Sequence, residues 1–237
     1  MQIERLDDVE IAGAVVSIWL ADLRITGNLE CSQTLSSDEL RRANSFIFAT
    51  DAQRYRLSRG ALRQVLGYLT GIAPRRLLLE TGTFGKPYLH GHERLQFNVS
   101  HSADWCVIAV VSQFGNTGAA GVGVDIEAER ETFDLQSLIE HVCTDSEARA
   151  LTDLPEHQLG AAFVTLWTRK EACLKALGMG LQLEPRTFIT GYAPKTMRVE
   201  LVSSGNQIYC ELTHLRLPVH GLVASLALHF KSRRSSP

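Results

Sequence analysis

The stretch Phe163 to Leu181, FVTLWTRKEACLKALGMGL, constrains this chain more than any other, because it reads as a helix whose apolar side carries a lysine. Positions three or four apart on a helix share a face. Phe163, Leu166, Leu174 and Leu177 therefore form one buried stripe. Lys170 projects from within it, so its ammonium must either reach water along its aliphatic stem or meet a buried anion. Glu171 and Lys175 sit four apart on the flank, beneath Trp167, where they can meet a ligand at the edge of the stripe. An ordinary i,i+4 surface pair satisfies the same spacing, and the helix alone does not choose between the two.

A second segment adds carboxylates. Ala119 to Ile126 is small and β-branched, which reads as a buried strand, and alternate residues of a strand face the same way. Asp125 and Glu127 then stand side by side, and each raises the pKa of the other unless a cation lies between them. Magnesium suits such a pair, since it prefers hard oxygens and is held by a few carboxylates together with substrate phosphate oxygens. The plain alternative is an exposed strand end running into the charged loop Glu127 to Glu131. Upstream, Thr83-Phe84-Gly85-Lys86-Pro87 has turn composition and presents Lys86 on a stiff loop. Phe97-Asn98-Val99-Ser100-His101-Ser102 ends a strand in donors suited to phosphate oxygens. A hairpin turn with a solvated lysine and a polar loop account for these two equally well.

In this order the segments resemble the 4′-phosphopantetheinyl transferases of the surfactin-synthetase-activating (Sfp) type. The resemblance rests on Gly85-Lys86-Pro87, Asn98-Val99-Ser100-His101-Ser102, Gly123-Val124-Asp125-Ile126-Glu127, Trp167 to Lys175, and Gly178-Met179-Gly180-Leu181. It spans roughly Leu35 to Phe188. It implies an α+β fold of two similar halves related by a pseudo-twofold, residues 1–117 and 118–237, with coenzyme A between them. It implies transfer of the 4′-phosphopantetheine arm of coenzyme A to a serine of an acyl or peptidyl carrier protein. Asp125, Glu127 and Glu171 would hold Mg2+ against the diphosphate, with Lys175, Lys86, Pro87, Ser100, His101 and Asp125 around coenzyme A. The basic segment Leu35 to Arg42, with Asp51 to Arg54, matches the part of the family that reaches the 3′-phosphate, and Arg42 and Arg54 fall on its basic positions. Glu39 stands where some members have lysine. Thr144-Asp145-Ser146-Glu147 matches a segment supplying a further acid near the reaction centre. Glu171 is then the first candidate for the general base, Glu147 the second.

Bulk properties agree with this reading. The chain has 237 residues, 45% of them hydrophobic, enough for one large core or two modest ones. A net charge of -2 excludes a general nucleic-acid binder, which carries a marked basic excess. Five scattered cysteines without paired spacing point to a reducing, cytoplasmic setting. His90 and His92 lack partners at zinc spacing and read as loop histidines. Ile11 to Ala21 follows acidic residues and is short, so it reads as a first strand, with no membrane segment expected.

Further strands are expected near Ala14 to Trp19, Leu77 to Glu80, Trp105 to Val111, Met197 to Ser203, Gln207 to Thr213 and Leu222 to Phe230. Helices are expected near Asp51 to Thr70, Leu135 to His141, Ser146 to Leu151 and Gln158 to Leu177. Gln113 to Gly118 is the clearest break and Lys231 to Pro237 reads as a disordered tail. Two halves in one chain favour a monomer. A magnesium-dependent nucleotide pyrophosphohydrolase needs the same acids without a carrier-docking surface, and a non-catalytic coenzyme A binding module needs fewer of them.

Overall fold

Period-two alternation runs through much of the chain, and the computed structural model gathers it into two main sheets; it describes residues 1–24, 33–112, 119–129, 135–179, 183–203 and 205–230. The chain opens with β1 (Gln2–Arg5), β2 (Val9–Ile11) and β3 (Ala14–Asp22). Helices α1 (Ser37–Asn44) and α2 (Ala49–Thr70) follow, then a small hairpin of β4 (Leu79–Thr81) and β5 (Pro87–Leu89). With β6 (Leu95–Ser102) and β7 (Trp105–Ser112), the first antiparallel sheet takes the order β1-β3-β7-β6, and β2 also lies on β3. The second contains β8 (Ala119–Ala128), β9 (Met197–Ser203), β10 (Asn206–Leu215) and β11 (Leu222–Phe230), in the order β8-β11-β10-β9. Helices α3 (Leu135–Val142), α4 (Asp145–Thr152) and α5 (Glu156–Leu177) lie between β8 and β9 in sequence.

Alternation also explains the layers. Val16 and Ile18 of β3, Val107 and Ala109 of β7, and Val122, Val124 and Ile126 of β8 share one core between the sheets. The opposite faces carry Ala21, Ile108 and Val110, packed under Leu57, Ala61, Leu62, Val65 and Leu66 of α2. On the second sheet Leu212 and Ala227 lie under Ala172, Leu174 and Ala176 of α5. The order is helix, sheet, sheet, helix, an α+β arrangement. The expected strands and helices are present with ends shifted by a few residues. Gln2–Arg5 and Val9–Ile11 are strands that the sequence reading did not anticipate, and the strand expected at Leu77 begins at Leu79 because Leu77 closes a 3-10 turn, Pro74–Arg76. The break at 113–118, the boundary between 117 and 118, Cys31, Gly180, Leu181 and the tail from 231 lie outside the described residues.

The edge strands β6 and β8 meet through side chains. Val124 N donates to Asn98 Oδ1 at 3.0 Å, Ser100 Oγ to Asp125 Oδ1 at 2.8 Å, Ser102 Oγ to Glu127 Oε2 at 2.8 Å, and Ala128 N to Ser102 Oγ at 3.0 Å. The partners climb together, so the strands run in the same direction along a polar seam.

Glycine lets α5 lie unusually close to β8. A Cβ on Gly123 would stand 2.1 Å from Ala172 O and 2.2 Å from Ala176 N. Gly123→Ala should therefore cost about 3 kcal/mol of unfolding free energy in urea. A loss below about 1 kcal/mol would mean the helix rides higher on the strand than described.

Candidate active site

Both of the long-range expectations about α5 can be traced in its side chains. Lys170 meets its buried anion: Nζ lies 2.8 Å from Glu147 Oε2, donates to Pro185 O and Phe188 O, and sits 4.7 Å from the centre of the Phe188 ring. Glu171 and Lys175 leave the apolar stripe on its flank. They line, with Trp167, a cleft of about 280 Å3 whose other wall is Ser100 and His101 of β6 and Asp125 and Glu127 of β8.

Lys175 does not pair with Glu171 across one helical turn. Its Nζ donates to Asp125 Oδ1 at 2.6 Å and to Ser100 Oγ at 3.0 Å, crossing from helix to seam. The cation on Asp125 is thus an ammonium. Asp125 is buried and its second oxygen, Oδ2, has no partner among the described residues. Burial raises the Glu127 pKa above its ordinary value; hydrogen bonds from Ser102 and from the Trp167 indole act against this, and Asp125 adds to it. Glu171 is raised by burial, lowered in part by Lys175, and raised again by Asp125 and Glu127. Partial desolvation, followed by the charges of Lys175 and Arg54, lowers the His101 pKa below 6.5, which leaves a neutral imidazole at pH 7.

Several expected site residues are elsewhere. Lys86 is mostly buried and its Nζ donates to the carbonyls of Val122, Lys175 and Ala176, while Pro87 pairs with Thr81 in the β4–β5 hairpin. Neither lines the cleft. Glu147 caps α4 in a reciprocal box with Thr144, and its other oxygen accepts from Thr190 N and Gly191 N at 2.9 and 3.0 Å. With Lys170 on it as well, Glu147 has no free lone pair directed at a substrate and is removed as a candidate base. Arg54 is bound to Asp104 at 2.9 Å, with Asp51 at 4.0 Å, near His101. Arg42 is exposed, its guanidinium 5.9 Å from the Tyr55 ring centre. Glu39 is buried, closes a capping box with Ser36, and pairs with Arg59 at 3.2 Å and Arg63 at 2.7 Å. It is a structural anion under α2, and the arginines it holds are not outward. Phe84 is half exposed, away from the cleft.

A second, mostly apolar pocket of about 290 Å3 adjoins the cleft through Glu127 and Trp167 and is walled by Leu138, Phe163 and Val164. The sequence reading assigned Phe163 to core alone. The signal was its position four residues before Trp167, on the same helix face.

As the side chains stand, no three His, Cys, Asp or Glu among the described residues close on a single point. The donor chemistry nevertheless fits a hard divalent cation. Asp125 offers an unpartnered buried oxygen, and Glu127 and Glu171 are carboxylates whose pKa values are raised by burial and by the Asp125 charge.

Comparison with known proteins agrees with this geometry. The model of the 4′-phosphopantetheinyl transferase superfamily matches residues 121–225, which carry all three acids and Lys175, and the model of the 4′-phosphopantetheinyl transferase N-terminal region matches residues 27–113. The chain belongs to the 4′-phosphopantetheinyl transferase superfamily. It is similar to the 4′-phosphopantetheinyl transferase HetI of a Nostoc species, at 37% identity over 64% of this chain and 63% of that protein. It is also similar to the 4′-phosphopantetheinyl transferase psf-1 of Bacillus pumilus, at 32% over 62% of this chain and 59% of that one. A Haemophilus influenzae protein provisionally named as the same transferase is 32% identical over 65% of this chain and 67% of its own length. The match thus spans less than two thirds of the first two relatives.

Glu147 tests the structural assignment. Burial opposes its ionisation, yet Lys170 and the hydrogen bonds hold its pKa below 4.5. The stability it contributes is present above pH 4.5 and disappears as the pH falls through the folded value. Glu147→Gln should cost about 3–5 kcal/mol at pH 7, because it strands a buried ammonium, and should flatten the acid side of the stability profile. An unchanged urea midpoint at pH 7 would contradict the pair.

Proposed function

We propose that the protein moves the 4′-phosphopantetheine arm of coenzyme A to a serine of an acyl or peptidyl carrier protein, with Mg2+, releasing adenosine 3′,5′-bisphosphate. The observation that carries this reading is the meeting of Asp125, Glu127, Glu171 and Lys175 in one cleft beside an apolar pocket. The names of the relatives support the reaction class. Mere binding of coenzyme A does not need three carboxylates around a diphosphate.

In this reading the cleft takes the diphosphate and the pocket past Trp167 takes the pantetheine arm. Lys175 and the neutral His101 donate to phosphate oxygens, and Ser100 helps to orient them. Arg54 and Arg42 face the 3′-phosphate, Arg54 by exchanging Asp104 for it. Asp125, Glu127 and Glu171 would hold magnesium, which when bound neutralises charge on the diphosphate. The serine hydroxyl attacks the β-phosphorus, the bond from that phosphorus to the bridging oxygen breaks, and the electron pair leaves with the adenosine bisphosphate. Glu171 takes the serine proton, directly or through a water; its raised pKa brings it nearer to the working range of a base. The scattered cysteines, of which Cys106, Cys143, Cys173 and Cys210 are free thiols, suit a cytoplasmic enzyme. No helix among the described residues is long and apolar enough to cross a membrane.

Intact mass of an apo acyl carrier protein incubated with coenzyme A and magnesium tests the proposal. The mass should rise by one phosphopantetheine unit, and EDTA or a serine-to-alanine carrier should prevent it. Coenzyme A cleaved without carrier labelling would favour the hydrolase, and coenzyme A left intact across fatty-acid, polyketide and peptide carriers would favour a binding module. Glu171→Gln should lower kcat by about 100-fold or more with the fold intact by circular dichroism. A variant within about threefold of the parent would remove Glu171 from the role of base.

A further inference from the structure

The lysine of the Gly85-Lys86-Pro87 turn has an ammonium with three donors and three backbone carbonyls on it: Val122 O at 2.8 Å, Lys175 O at 2.9 Å and Ala176 O at 3.2 Å. No donor is left over for a ligand. Two of the carbonyls belong to the last turn of α5, where the regular i+4 donors run out and the carbonyls form the negative end of the helix dipole. The third belongs to β8. The helix stops immediately afterwards at Gly178, in the left-handed region at φ 69°, with its N–H on Leu174 O and Lys175 O.

The surroundings are shaped for this contact. A Cβ on Gly121 would stand 2.1 Å from Ala176 O and 3.4 Å from Lys86 Nζ, and one on Gly178 would stand 3.0 Å from Lys86 Cδ. Glycine at both positions opens the slot through which the lysine stem passes, and Gly85, at φ 86°, turns the hairpin towards it. Burial lowers the Lys86 pKa to about 8, opposed by Cys210 nearby, so the ammonium is kept at a desolvation cost.

We infer that Lys86 is a positioning residue that clamps the last turn of α5 onto β8 and thereby sets where Lys175 and Glu171 stand, and that it binds no phosphate. The inference rests on the proposed function only in naming what those two side chains do.

Limited acetylation of the wild-type protein by acetic anhydride, read by peptide mass spectrometry with and without coenzyme A, separates the two ideas. Lys86 should react at least about tenfold more slowly than the exposed Lys195, and coenzyme A should not change its rate. Lys175 should be shielded by coenzyme A. A Lys86 as reactive as Lys195, or one shielded by coenzyme A, overturns the clamp. Absence of shielding at Lys175 with a slow Lys86 counts against the proposed site and leaves the clamp standing. In variants, Lys86→Met should speed amide exchange at Ala176 to Met179 about tenfold and lower turnover, and Lys86→Arg, which keeps a cation, should restore both to within about threefold. Unchanged exchange in the methionine variant, or an arginine that restores neither quantity, overturns it. If the methionine variant does not fold, the acetylation result decides.

Discussion

The polar seam between β6 and β8 is the constraint on which the remainder of the molecule turns. Two antiparallel sheets could pack face to face without it, since their shared core of Val16, Ile18, Val107, Val122, Val124 and Ile126 is apolar throughout. What that core cannot supply is register between the edges. Asn98, Ser100 and Ser102 supply it by reaching across with side chains where a sheet would use backbone. Each such bond contributes about 1 kcal/mol, and those to a charged carboxylate somewhat more. The same bonds aim Asp125 and Glu127 into the cleft, so the contact that aligns the two sheets also builds the acidic wall.

Three deeply buried ion pairs stand in the described structure, whereas the buried Arg169 and the Lys86 ammonium are held by backbone carbonyls. Lys170 has Glu147, Arg63 has Glu39, and Asp125 has Lys175. The first two pairs are saturated with further hydrogen bonds and behave as internal fasteners. The third is incomplete, because Asp125 keeps one oxygen unpartnered and Lys175 is more than a quarter exposed. Incomplete satisfaction at a buried carboxylate is what distinguishes a place for chemistry from a place for stability.

Much of this was legible in the sequence, for reasons that differ by residue. The side-by-side placement of Asp125 and Glu127 follows from the period of a strand, and the predicament of Lys170 from the period of a helix. The apolar faces of α2 and α5 are long enough for periodicity to declare them. β1 and β2 span only four and three residues, too few for alternation to declare them. Glu147 and Glu39 did carry a signal of their real role, since each stands three residues after Thr144 or Ser36 in a capping box. Lys86 carried none. Turn composition states that a lysine is presented but not where its stem will go, and only the glycines of β8 and the end of α5, more than 30 residues away, decide that.

The position of β11 bears on how such a molecule comes into being. It is the last described strand in the chain, yet it lies between β8 and β10 in the second sheet, paired along β8 from Leu222 opposite Ala128 to Phe230 opposite Ala119. Ser225 stands opposite Asp125. During synthesis from the N-terminus, β8 has its sheet neighbour only once residue 230 has been made. Contacts so distant in sequence form late, because the entropy of closing long loops must be met before they contribute. The acidic wall is therefore among the last features to assemble, and a ribosome-bound or truncated chain lacking its final strand would hold the residues of the site without holding the site.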